Sequence, residues 1–216
     1  MHGDATGFAY AVQTDRFVVQ LGDLVDGGPD SDGALRLMWQ LIDEGRGLFL
    51  LGNHDLRLRR ALVGESPRVA AETAETVASL SPAQRARAAA EIARAPAWLV
   101  HGPVVFVHGG FHTEMLEVPP SALPDGRPFG AVARALYGEP TGRTQPDGFP
   151  HRSLAWVDRI PEGITVYCGH DRRSMNGRPL EKHGRRGGTA IFLDTGAGKG
   201  GHLSWLDIDL DPDTLP

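Results

Sequence analysis

The chain has a single cysteine, Cys168, in 216 residues. This excludes an internal disulfide framework and a cysteine-rich zinc site, and it fits a reducing cytoplasm. No stretch approaches the roughly 20 consecutive apolar residues of a membrane span. The first residues carry neither a charged leader nor an apolar core, so no signal peptide is expected. Neither sign of charge dominates: 22 Lys and Arg stand against 27 Asp and Glu, a net charge of -5. Without a basic excess there is no general field for polyanions, which argues against sequence-independent binding of duplex nucleic acid. Internal repeats and a domain linker are also missing. What remains is an ordinary globular composition, 41% hydrophobic and 23% charged, expected to form one domain over residues 1–216.

The pattern is most informative from Phe17 to Asp55. Arg16 to Leu21 and Gly47 to Leu51 are short apolar runs that each stop at a glycine. Between them, Leu35, Met38, Trp39 and Ile42 recur at helical spacing, with Ser31 as the expected N-cap. The unit reads strand, helix, strand, with Asp23 and Asp26 past the first strand and Asn53-His54-Asp55 past the second. In α/β folds the crevice at the carboxyl ends of the strands is where ligands bind.

Further along, a helix is expected from Asp4 to Gln13 and a short basic one from Leu56 to Ala61. Ser66 to Ala78 and Ser81 to Arg94 read as an alanine-rich helical hairpin, an insert at about 66–95. Its second helix opens on a Ser81-Pro82-Ala83-Gln84 capping box. Trp98 to His101, Val104 to His108, Ile164 to Cys168, Thr189 to Leu193 and His202 to Leu210 read as strands. Phe129 to Tyr137 reads as a helix closed by Gly138, and Glu139 to Pro150 as a polar surface loop.

Four of the apolar strands end in side chains that bind metals: Asp23, Asn53, His108 and His170, with His2 at the start of the chain. Carboxylate, amide oxygen and imidazole suit Mn²⁺, Fe or Zn²⁺ better than a thiol-selecting metal. One Asp can bridge two ions about 4 Å apart, and such a pair clamps a phosphoryl oxygen and generates hydroxide at neutral pH. His54, next to Asn53, is placed to protonate a leaving group, and Asp26 to hold its tautomer.

Gly22-Asp23-Leu24-Val25-Asp26-Gly27-Gly28, Gly52-Asn53-His54-Asp55, Val107-His108-Gly109-Gly110 and Cys168-Gly169-His170 together resemble the calcineurin-like metallophosphoesterases, in their phosphoprotein-phosphatase-type bacterial branch. Tyr137-Gly138-Glu139-Pro140-Thr141-Gly142 and the region after Asp194 are similar to the phosphatase module of bacterial polynucleotide kinase-phosphatases and to dinucleoside tetraphosphatases. The resemblance implies an α/β fold, a four-layer αββα sandwich, with two divalent ions, Mn²⁺ first and Fe or Zn²⁺ as alternatives. It implies His2 and Asp23 as ligands of one ion, and Asp23, Asn53, His108 and His170 as ligands of the other. His54 becomes the general acid, Asp26 its orienting partner and Asp194 a supporting polar residue. The implied reaction is hydrolysis of a phosphate ester by a metal-bridging hydroxide. The implied partners are a phosphorylated small molecule, a nucleotide, a nucleic-acid end or a phosphoprotein.

Two departures matter. The family's first motif is Gly-Asp-x-His-Gly at the end of a first strand, but here only Met1-His2-Gly3 is present. The expectation is that the start lies at an internal methionine, with an apolar run and Gly-Asp encoded upstream; otherwise the first strand is lacking. Gly27 stands where many relatives carry a phosphate-gripping Arg. Arg57 and Arg172 are the candidate substitutes, with Arg59 and Arg173 behind them. The rival to an enzyme is a catalytically impaired pseudoenzyme that binds phosphorylated ligands or a protein partner. Lys182-His183-Gly184-Arg185-Arg186 reads as a solvated basic loop, and Cys168 as a buried core residue.

Overall fold

The structure is a computed structural model that describes residues 16–120, 126–145, 148 and 150–210. The expected helix at Asp4 to Gln13, His2 and the question of the first strand lie outside these residues. β1 (Val18–Gln20) and β2 (Gly47–Phe49) pair in parallel around α1 (Ser31–Asp43), the expected strand-helix-strand unit. The helix cap is Asp30 rather than Ser31: its Oδ1 accepts from Gly33 N–H at 2.8 Å. The buried stripe of α1 is Leu35, Met38, Trp39 and Leu41, with Ile42 only partly covered.

α2 (Asn53–Leu62) starts at the metal-type Asn53 itself. Next come α3 (Ala71–Ser79) and α4 (Pro82–Arg94). α3 begins at Ala71, later than the expected Ser66, whose Oγ donates to Arg68 O at 2.7 Å instead of capping a helix. The Ser81 capping box of α4 forms as expected, with Gln84 N–H donating to Ser81 Oγ and Ser81 N–H to Gln84 Oε1.

A five-stranded mixed sheet follows. It is built from β3 (Trp98–His101), β4 (Val104–Val107), β7 (Thr165–Cys168), β8 (Leu180–His183) and β9 (Thr189–Phe192), in the order β3-β4-β7-β9-β8. α5 (Gly130–Tyr137) ends at Gly138 as expected. Three readings are corrected. The expected loop at Glu139 to Pro150 contains β5 (Pro140–Thr144), which forms an antiparallel ribbon with β6 (Pro150–Arg152). Lys182 and His183, expected in a loop, lie in edge strand β8. The expected strand from His202 to Leu210 does not form: its backbone bridges only at His202, while Ile208 and Leu210 pack on the core. Alternating hydrophobicity alone does not make a strand where no neighbouring edge continues the ladder.

The layers follow from which face each side chain takes. Within β4, Val104 and Phe106 point one way and Val105 and Val107 the other, as the two-residue period requires. Val104 and Phe106 meet Val19, Leu21, Leu48 and Leu50 from the small sheet, so this cluster lies between the two sheets. Val105, Val107, Val166 and Cys168 face α5 and Trp156 on the outer side. Leu35, Met38, Trp39 and Phe49 join α2 and α4 residues over the small sheet. Helix, sheet, sheet, helix is the four-layer α/β sandwich expected. No described helix is long and apolar enough to cross a membrane.

Candidate active site

The parallel strands all deliver their carboxyl ends to one cleft of about 1280 Å³. Asp23 follows β1, Asn53 follows β2, His108 follows β4, His170 follows β7 and Asp194 follows β9. The loops after β1 and β2 approach so closely that only glycine fits. A Cβ on Gly22 would lie 2.8 Å from Gly52 Cα and from His108 Nδ1. A Cβ on Gly52 would lie 2.2 Å from Asp23 N.

Asp55 locks this junction. Its carboxylate accepts the N–H groups of Asp23 at 2.7 Å, Gly52 at 2.9 Å and Leu24 at 3.0 Å. Burial and the neighbouring Asp23 charge push its carboxyl up to about 6, against the pull of the backbone donors. The sequence reading quoted Asp55 only as part of a motif and gave it no task.

The metal-type side chains converge. Ligand atoms of Asp23, His108 and His170 all lie within 4.8 Å of one another. His108 Nδ1 is 2.7 Å from Leu21 O, so it carries the proton and donates there. Nε2 is left with a lone pair in the neutral ring. That lone pair faces Asp23 Oδ2 at 3.2 Å, Asn53 Oδ1 at 3.2 Å and His170 Nδ1 at 3.0 Å. Acceptors facing acceptors in a buried place call for a cation between them or a proton on His108 Nε2; burial opposes that proton, but the Asp23 charge raises the His108 pKa. The donor set is that of a borderline divalent ion, so these residues fit one such ion. The set expected for a second ion depends on His2, outside the described residues.

Burial opposes ionisation of Asp23, but His108, with His54 and His170, holds its carboxyl well below the usual carboxylate range. Burial and the neighbouring His108 drive His170 well below the usual imidazole range, so it is neutral and its lone pair is free to ligate. Asp23 Oδ1 accepts the His54 N–H at 2.9 Å in the first turn of α2, which leaves Oδ2 for the cluster. An anionic oxygen there is also favoured by the helix dipole.

A second group lies beside the first. His54 Nδ1 is 3.0 Å from Asp26 Oδ2. An ionised carboxylate only accepts, so His54 donates from Nδ1 and its Nε2 is the ring's other titrating atom. The hydrogen bond with Asp26 raises the His54 pKa, burial opposes it, and the Asp23 charge adds to the rise. Burial opposes ionisation of Asp26, but donation from His54, Thr76 and Thr73 lowers its pKa. Asp23, Asp26 and His170 have φ of 59°, 66° and 59°, and they are the non-glycine residues with positive φ among the described residues. Backbone strain thus collects at this site, where packing on all sides holds it in place.

The candidate arginines divide. Arg57 Nη1 lies 3.9 Å from Asp26 Oδ2, and Arg172 lies on the cleft wall. Arg59 pairs with Glu65 and Arg173 with Asp171. Asp194 also lines the cleft, but its Oδ1 accepts from Gly196 N–H at 2.9 Å, a turn contact. Gly27 is exposed. The sequence reading missed Arg152. This half-buried cleft residue donates through Nε to Tyr137 O at 3.2 Å, and its charge couples to Asp171, Asp194 and Asp23. It ends β6, just past the stretch read as a loop, so only the register of that ribbon could have revealed it. Burial pushes the Cys168 thiol up, as its core reading implies.

A two-sheet sandwich whose strand ends gather Asp, Asn and two His around a cation position defines a metal-dependent phosphoesterase. Residues 8–171 match the model of the calcineurin-like phosphoesterases, and the chain belongs to that family. It is thus a hydrolase. The chain is 30% identical over 198 residues to the asymmetrical bis(5'-nucleosyl)-tetraphosphatase PrpE of Bacillus velezensis, a match covering 88% of this chain and 73% of that protein. Among solved structures, a candidate diadenosine tetraphosphatase superposes with a TM-score of 0.58 at 22% identity, covering 91% of this chain and 79% of that one. A serine/threonine phosphatase from Saccharomyces cerevisiae superposes with a TM-score of 0.52 at 17% identity, covering 82% and 58%. These two likenesses concern the fold.

Proposed function

We propose that the chain hydrolyses phosphoric esters and anhydrides of the dinucleoside polyphosphate class. The observation that carries the reaction type is the lone-pair cluster of Asp23, Asn53, His108 and His170 lying beside the His54–Asp26 pair. The substrate class is supported by the tetraphosphatase relative and by a cleft large enough for a nucleotide.

Asp23, Asn53, His108 and His170 would hold a divalent ion, Mn²⁺ being the first candidate, and His2 with Asp23 would serve a second. Bound there, such ions polarise the phosphoryl oxygens and lower the pKa of a water nucleophile. The chain's own residues do the rest. His108 is fixed by Leu21 O so that its Nε2 points at the ion position. His54, whose pKa the Asp26 hydrogen bond raises against burial, gives its Nε2 proton to the leaving oxygen. Arg152, with Arg57 and Arg172 on the cleft walls, offers guanidinium donors to phosphate oxygens where Gly27 offers none. Asp194 supports the turn behind them.

The test is turnover of an aryl phosphate with Mn²⁺, for this chain and for a form extended by an upstream Gly-Asp strand. Diadenosine tetraphosphate and a phosphoserine peptide follow as competing substrates. Faster release of nucleotides than of peptide phosphate supports the reading. Metal binding without turnover in both forms would replace it with the pseudoenzyme.

A further inference from the structure

The helical hairpin expected as an insert reaches into the site. Thr73 and Thr76 are three residues apart on α3, so their side chains share one face. Thr73 is fully buried, and Thr76 is 4% exposed. Thr73 Oγ1 donates to Asp26 Oδ2 at 2.8 Å, and Thr76 Oγ1 donates to Asp26 Oδ1 at 2.8 Å. Oδ2 also takes the His54 Nδ1 proton at 3.0 Å. Below them, Ser31 Oγ accepts the Asp26 N–H at 3.1 Å and lies 3.3 Å from Thr76 Oγ1. The Asp26 side chain has no exposed surface.

A carboxylate held by one hydrogen bond can still turn about its Cβ–Cγ bond. Here each oxygen has its own hydroxyl, and the plane is fixed. That plane sets the direction from which Oδ2 accepts the imidazole N–H, and therefore where His54 Nε2 points. Packing does not account for the residue type, because valine fills the same volume without burying a hydroxyl. Nor does helix satisfaction: a mid-helix threonine ordinarily bonds the carbonyl one turn back. Thr76 has such a contact, to Glu72 O at 3.2 Å, but its shorter bond goes to Asp26.

We propose that Thr73 and Thr76 are positioning residues that aim His54 at the leaving oxygen through Asp26, so that α3 is part of the catalytic machinery. The inference rests on the reading of His54 as the general acid. In the step concerned, the bond from phosphorus to the leaving oxygen breaks and its electron pair stays on that oxygen. The oxygen takes the proton from His54 Nε2. Water forms the new bond to phosphorus and loses a proton to solvent, and His54 is reprotonated from solvent.

The experiment compares the Mn²⁺-supplied full chain with Thr73→Val/Thr76→Val on two substrates that differ only in the leaving group. Phenyl phosphate needs its oxygen protonated, whereas 2,4-dinitrophenyl phosphate does not. The expected result is a fall in kcat of about 10–100-fold on phenyl phosphate and less than about 2-fold on the dinitrophenyl ester. Thr73→Ser/Thr76→Ser, which keeps both hydroxyls, should restore kcat. Equal losses on both substrates overturn the proposal, because a merely structural defect does not distinguish leaving groups. His54→Gln is measured alongside. If it shows the leaving-group split and the valine variant does not, the positioning role alone fails. If His54→Gln shows no split, the general-acid reading fails and this inference with it. A crystal structure of the valine variant is independent of turnover. Asp26 rotated away from His54 Nδ1 supports the proposal, and an unchanged contact overturns it. The singly substituted Thr76→Val serves if the double variant does not fold.

Discussion

Two groups of polar side chains lie within one turn of α2 and are built on opposite principles. In the Asp26–His54 group both carboxylate oxygens of Asp26 meet donors. His54 gives to Asp26, Thr73 and Thr76 give to Asp26, and Asp26 N–H gives to Ser31. The carboxylate is satisfied by protein alone. In the Asp23–Asn53–His108–His170 group, oxygens and nitrogens with lone pairs face one another. With His108 neutral it is incomplete as protein, and a cation, or a proton on His108 Nε2, resolves it. On the proposed roles, the difference is how a fold would separate two tasks. A proton carrier must be oriented by fixed partners, whereas a metal position must be held open by partners that cannot satisfy each other. Asp55 joins the two groups by pinning the loop that carries Asp23 to the start of α2, which carries His54.

The comparison can be broken most strongly from the metal side. Asp23→Ala, or removal of divalent ions with a chelator, should lower turnover by at least about 1000-fold. Metal content by atomic emission should fall in the Asp23 variant, and re-addition of Mn²⁺ should restore only the unmodified chain. Breaking the proton side should cost less and leave the metal alone. His54→Gln should lose about 100-fold on substrates with poor leaving groups, with the ion content unchanged. Loss of bound metal in that variant would mean that the two groups are one.

The joint between them is tested by stability. Asp55→Ala would leave three N–H groups in the buried junction without an acceptor, which should cost about 3 kcal/mol in urea unfolding. A cost under about 1 kcal/mol would show that the loops hold without it. The smallest effect is expected at Cys168, two residues before His170. Because burial pushes its thiol up, thiolate is scarce at neutral pH and iodoacetamide should react only after unfolding. Labelling of the native chain would show that the wall behind His170 opens.

The converging cluster was legible in the sequence because each of its four members follows a short apolar strand. Asp23, Asn53, His108 and His170 could be picked out before any contact was known. The helix start was readable at Ser81, where the capping box forms, and shifted at Ser66 and where Asp30 rather than Ser31 caps. The last strand was misread because Leu203 to Leu210 alternates without a continuing edge to pair with. Arg152 was missed because its ribbon has no hydrophobic signal: all five residues of β5 are exposed. Thr73 and Thr76 left a faint trace, two hydroxyls on the buried face of an otherwise alanine-rich helix.

The sequence by itself determined the family, the first strand-helix-strand unit, the parallel core strands and the residue types at their ends. These depend on local periodicity and on glycines that stop strands. The tertiary structure alone decided which oxygen of Asp23 serves the helix and which the cluster, and that Asp55 ties the loops. It alone also decided that a helix some 50 residues along the chain grips Asp26. Those are contacts between segments far apart in sequence, and a hydrogen bond depends on distance and direction, which residue spacing does not encode.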